Sequence, residues 1–95
     1  MSYSVYVIEL EPHERDQGLP AVYVGMTVRT PEERFQQHKD GYKASRHVRR
    51  RGVRLLPELF PRPAGGFELQ SDAEAMESEW AETLRSRGYA VYGGH

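Results

Sequence analysis

The chain opens on Tyr3-Ser4-Val5-Tyr6-Val7-Ile8-Glu9-Leu10, a run dominated by β-branched and aromatic residues. Its length and composition predict a strand. Glu11 to Pro20 follows, with Pro12, Gly18 and Pro20 among charges, and reads as a loop. Apolar character returns in Ala21-Val22-Tyr23-Val24-Gly25-Met26, a second strand. The two strands are close in sequence, so a hairpin with a long loop is the simplest pairing. Thr30-Pro31-Glu32-Glu33 is a capping box with proline at the first helical position. It predicts a helix to about Lys39, stopped before Gly41. Ala44 to Arg51 has helical composition and ends at Gly52. Val53 to Phe60 is apolar, but Pro57 cannot donate to a ladder, so it reads as an edge strand at best. Ser71-Asp72-Ala73-Glu74 reads as a second capping box, opening a helix to about Arg87 with Gly88 beyond. Tyr89 to Tyr92 suits a last short strand. The order β-β-α-α-β-α with a final strand describes a small α/β or α+β domain, one domain over residues 1–95.

The last helix can be placed on a wheel at about 100° per residue. With Ala73 at about 0°, Met76, Trp80 and Leu84 form one apolar stripe centred near 340°. Glu77 falls at about 40° and Glu79 at about 240°, on opposite flanks of the stripe. Either carboxylate suits a position beside the core and facing a cleft. Helical geometry does not choose between them.

Composition narrows the chemistry. The absence of cysteine removes disulfides, thiolate nucleophiles and cysteine zinc sites together. No apolar run is long enough to span a membrane, and the first residues carry no secretory signal, so the expected location is cytoplasmic, nucleoid-associated included.

The net charge of −1 conceals an asymmetry. Residues 1–28 carry a balance of −3, residues 29–62 of +6 and residues 63–95 of −4. Eight of the ten basic residues in the middle segment are arginine, which pairs bidentately with phosphate. A polyanionic partner is the expected match, against the plainer reading of a solvated, arginine-rich surface. The candidate contacts are Arg29, Lys39, Lys43, Arg46, His47, Arg49, Arg50, Arg51 and Arg54.

No phosphate-cradling glycine loop, His-Glu-x-x-His or nucleophile elbow is present, and the four histidines form no metal cluster by local spacing. The informative stretch is Thr30 to His38. Arg34 and His38 are four apart and share a helix face. Arginine beside histidine, next to strands carrying tyrosines, suits phosphodiester chemistry: one stabilises charge on phosphate and another handles a proton. Ordinary surface polarity explains the same residues less specifically.

Ser4-Val5-Tyr6, with Tyr23-Val24-Gly25 seventeen residues on, resembles the paired tripeptides of the GIY-YIG nuclease superfamily. Thr27 just after the second tripeptide, Arg34, His38, His47 and a glutamate on the last helix extend the resemblance from residue 3 to about residue 92. Ala75-Met76-Glu77-Ser78-Glu79-Trp80-Ala81 is similar to the acidic helix of the structure-specific members, and that match places the metal-binding carboxylate at Glu79.

The resemblance implies a divalent-metal endonuclease on a small three-stranded antiparallel or mixed sheet flanked by helices. Tyr6 would be the general base, Tyr23 would orient water or phosphate, Arg34 would pair with the scissile phosphate, and His38 would hydrogen-bond the tyrosine or phosphate. Glu79 would hold Mg2+ or Mn2+, ions that keep most of their waters. Gly25 would let backbone approach closely or form a bulge, and Thr27 completes the motif. The expected partner is nucleic acid, DNA ahead of RNA, with a homodimer or a targeting protein as a further source of affinity and no membrane. Three departures qualify this. Ser4, Val5 and Val24 are small changes within the tripeptides. The family's late asparagine has no counterpart, because the chain contains no Asn; Tyr92 and His95 are the polar residues near that end. No length remains for a second DNA-binding domain or zinc module. The alternative is a catalytically degenerate module of this fold that binds nucleic acid or a protein without cutting.

Overall fold

The structure, a computed structural model, describes residues 1–94. Strands β1 (Ser4–Leu10) and β2 (Ala21–Thr27) form the expected antiparallel hairpin, with Ser4 opposite Thr27 and Leu10 opposite Ala21. The loop between them is braced by a single 3-10 turn at Glu14–Asp16. Helices α1 (Pro31–Asp40) and α2 (Arg46–Arg51) come next, then β3 (Gly52–Leu55), α3 (Gln70–Ser86) and β4 (Ala90–Gly93). The sheet order is β3-β1-β2-β4. β3 is antiparallel to β1, and β4 runs parallel to β2.

Period-two alternation divides the core between the two faces of this sheet. Val5, Val7, Val22 and Val24 face one side with Leu56, Ala81 and Leu84. Each of these valines is almost fully enclosed, and each burial contributes about 1.5–3 kcal/mol. Tyr6, Ile8, Leu10 and Ala21 face the other side, with Val48 of α2. That second face carries the candidate chemistry.

Two sequence expectations change here. The sheet has four strands rather than three, because both marginal segments pair. β3 is the edge strand that Pro57 allows: pairing stops at Leu55, and the chain turns through a 3-10 turn at Pro57–Leu59. α3 does not start at a Ser71–Glu74 box. It begins at Gln70, and Leu69 provides no side-chain cap. The Leu69 carbonyl instead accepts from Asp72 and Ala73 N–H, so Ser71 already lies inside the first turn. By contrast, α1 is capped as read, with Thr30 Oγ1 accepting from Glu33 N–H at 3.1 Å and the Glu33 carboxylate accepting from Thr30 N–H. It ends at Gly41, whose left-handed backbone (φ 88°) suits glycine and turns the chain toward α2. Among the described residues, no helix is long and apolar enough to cross a membrane.

Candidate active site

Alternation along β1 places Tyr6 on the face that α1 and α2 cover, opposite Gly25 of β2. The Tyr6 ring lies across that glycine. A Cβ at Gly25 would stand 2.5 Å from the Tyr6 hydroxyl oxygen and 2.9 Å from a ring carbon of Tyr23. Gly25 therefore makes room for two tyrosines. It lies within β2, and the pairing runs through it without the bulge that was the alternative.

α1 supplies the next two groups. His38 is 1% exposed, and its ring is tied at both nitrogens. Nδ1 accepts from Ser45 N–H at 3.0 Å, so Nε2 carries the ring proton and donates to Tyr6 Oη at 2.9 Å. Burial first, and then the Arg34 charge, push the His38 pKa down to about 4. The imidazole is thus neutral at physiological pH. The Tyr23 ring meets the His38 ring edge-on, with centroids 5.5 Å apart.

Burial, followed by Tyr23, raises the Tyr6 phenol above its ordinary value; Glu77 adds to this and Arg34 opposes it. Tyr23 is raised by burial and then Glu77, with Arg34 and the Ser45 side chain opposing. Arg34 is half-buried and held by the segment after α1. Its guanidinium donates to the Tyr42 carbonyl at 3.0 Å, the Lys43 carbonyl at 2.7 Å and Gln37 Oε1 at 3.3 Å. Those bonds use three of its five N–H donors, and the guanidinium also faces the Tyr6 phenol, which it lowers by charge and hydrogen bonding.

α3 contributes Glu77. It lies with Ala73 and Ala81 on the row of residues four apart that faces the core, and it is only 7% exposed. Burial, then the nearby Glu74 charge, push its pKa up to about 7. Among the described residues no cation pairs with it. Glu79, the residue chosen from the sequence, is exposed on another flank of the helix; its backbone carbonyl accepts from the Thr83 hydroxyl. On the helical wheel both glutamates flank the apolar stripe, and packing buries the nearer one, Glu77. It stands about 60° from the centre of the apolar stripe, whereas Glu79 stands about 100° away. Among the described residues, no three His, Asp or Glu side chains gather as a metal-ligand cluster. A lone, partly desolvated, unpaired carboxylate fits a hydrated Mg2+ or Mn2+ that takes its remaining ligands from water and phosphate.

The remaining candidates scatter. Thr27 is buried, and its Oγ1 accepts from Arg29 N–H at 2.9 Å, which shapes the turn into α1. Arg29 is exposed, and Lys43 lies over the Tyr42 ring. Lys39 donates to the Gly52 carbonyl at 3.0 Å. The Arg49 guanidinium lies against Gly41. Arg54 pairs with Glu9 and Glu58 at the β3 edge. Arg51 pairs with Asp16 at 2.6 Å, while Arg46 and Arg50 are exposed on α2. Tyr92 donates to Asp16 and packs against His47, with ring centroids 4.6 Å apart. His95 lies outside the described residues.

The model of one family, described as the GIY-YIG catalytic domain, matches residues 2–90, nearly the whole chain. No curated protein and no solved structure matches it at a comparable level.

Proposed function

The chain belongs to the GIY-YIG catalytic-domain family, a nuclease family, and from that premise we propose that it is a divalent-metal-dependent endonuclease cutting phosphodiester bonds in nucleic acid, DNA ahead of RNA. The observation that carries this reading is the hydrogen bond to Tyr6 Oη from a neutral, backbone-anchored His38. An imidazole locked in this tautomer offers its proton to the phenol oxygen and has no free lone pair for water. Tyr6 is therefore the base and His38 its positioning partner. Once the phenol has lost its proton, Nε2–H stabilises the phenolate, and Arg34 adds positive charge nearby. Burial opposes that loss in the free protein, so activation depends on charge brought by the substrate complex.

Arg34 pairs with the scissile phosphate through its spare donors and offsets charge that develops there. Tyr23 packs against His38 and holds the attacking water or a phosphate oxygen. Glu77, rather than Glu79, is the carboxylate that would hold Mg2+ or Mn2+, because it is the one desolvated, unpaired and electrostatically coupled to both tyrosines. When bound, the ion supplies Lewis-acid stabilisation of the leaving oxygen.

A second reading, a module that binds without cutting, is favoured by the missing asparagine and by the raised Tyr6 phenol. Incubation with linear and branched DNA in Mg2+ or Mn2+ separates the two. The nuclease reading expects metal-dependent cleavage, with Tyr6→Phe slower by about 10²–10⁴-fold. Equal cleavage by Tyr6→Phe, or no product with any of these substrates, refutes it.

A further inference from the structure

The β1–β2 loop and α2 line an open basic pocket of about 350 Å3 that shares no residue with the Tyr6 cluster. Its walls are His13, Arg15, Arg46, His47, Arg50 and Arg51. Helical spacing explains the α2 side. Arg46 and Arg50 are four apart, as are His47 and Arg51, so the four share one face. Arg49 falls on the other side, against Gly41. The loop side is built by the 3-10 turn at Glu14–Asp16. His13 Nδ1 accepts from Arg15 N–H at 3.1 Å, which fixes Arg15 beside the pocket.

The charges in this pocket do not balance. No carboxylate lines it, and the one that pairs with a lining arginine, Asp16, is taken by Arg51 Nη2 and the Tyr92 hydroxyl. Among the described residues, Arg15, Arg46 and Arg50 join no ion pair. Arg51 Nη1 is buried without a hydrogen-bond partner, a state that ordinarily demands an acceptor. His47 responds to the same field: burial, then Arg46, Arg15 and Arg51, push its pKa down. Four guanidinium groups line one open cleft, Arg51 buried at its base and the other three reaching solvent, and the guanidinium fork matches phosphate.

We infer that this pocket is a second phosphate site, which grips a backbone phosphate of the nucleic acid away from the bond that is cut. The inference rests on nucleic acid being the substrate. It adds Arg15 and His13, from a segment whose overall charge is negative, and it leaves Arg49 and Arg54 outside. The pocket borders the sheet face that carries Tyr6. His47 packs on Tyr92, and Tyr92 lies beside Tyr23 in the parallel β2–β4 register. One strand can therefore touch both places.

The test uses Arg46→Ala combined with Arg50→Ala, two exposed positions whose loss leaves the core intact. Inorganic phosphate is titrated while the ring protons of His13 and His47 are followed by NMR. The wild type is expected to show saturable shifts at both rings, which the double variant loses. Shifts absent from both rings overturn the site. DNA binding without metal is then measured against salt. The double variant is expected to bind about tenfold more weakly, with a salt slope shallower by about two. Unchanged affinity and slope also overturn the site. A wild type that binds phosphate and DNA through Arg46 and Arg50 but never cuts would retain the phosphate site and sink the nuclease reading. A double variant that cuts with unchanged KM and salt dependence would do the reverse.

Discussion

Acidification should destabilise this protein through His38, and the size of the effect follows from its burial. The ring is 1% exposed, its Nδ1 is committed to Ser45 N–H, and its pKa is held at about 4 against an ordinary 6.5. The folded value is the lower of the two. Between pH 6.5 and pH 4 the unfolded chain therefore binds the extra proton, and stability is lost as pH falls. The full gap corresponds to about 3 kcal/mol, and about 2 kcal/mol of it is gone by pH 5. His38→Gln isolates the term. Its amide can accept from Ser45 N–H and donate to Tyr6, but it does not titrate. Urea denaturation followed through Trp80, the only tryptophan, reads both proteins from pH 7.5 to pH 4.5. The difference in stability between wild type and variant should shrink by about 2 kcal/mol on moving to pH 5, a relative midpoint shift of about 1 M urea. Using the difference removes the depressed His47 and the raised Glu77, which act in both proteins. A difference that stays constant across the range, or an NMR titration of His38 near 6.5, refutes the tautomer and the role built on it.

Gly25→Ala should destabilise the fold by about 1–3 kcal/mol and slow any cleavage, because the added methyl meets the Tyr6 hydroxyl; denaturation and a cleavage assay check it. Glu77 has a folded pKa raised to about 7, so in metal-free protein its contribution to stability is lost as pH rises through that value. Glu77→Gln in EDTA should therefore raise the melting temperature at pH 8 and change it little at pH 4. Equal melting temperatures for the two proteins at pH 8 would show the carboxylate to be well solvated.

How much of this was legible depended on how local the determinant was. The hairpin, α1 and its cap rest on neighbouring residues, and the sequence states them directly: Thr30-Pro31-Glu32-Glu33 is its own explanation. Ser71 and Glu74 match a capping pattern that points past the start of α3, because the backbone bypasses it and the Leu69 carbonyl accepts the first helical bonds. The fourth strand depends on β4 meeting the far edge of β2, a pairing between distant segments that short-range pattern only hints at. The same division holds for the site. Arg34 and His38 could be placed on one helix face from spacing alone. The tautomer of His38 needed Ser45, seven residues away across a turn, and the tight fit of Gly25 needed the Tyr6 ring lying over it. That Glu77 is buried and Glu79 exposed needed the packing of α3 on the sheet, which the stripe alone does not give. The late basic residues looked equivalent in sequence, yet α2 sends Arg46, Arg50 and Arg51 to one side and Arg49 to the other.

The most direct test of the nuclease account compares DNA cleavage by wild type, Glu77→Gln and Glu79→Gln in Mg2+ and in Mn2+, with each variant's fold checked by its melting curve. The account predicts metal-dependent cleavage by wild type and Glu79→Gln, and a loss of at least about 10²-fold in Glu77→Gln, as expected when a main source of transition-state charge stabilisation goes. Retained cleavage in Glu77→Gln together with loss in Glu79→Gln would contradict it.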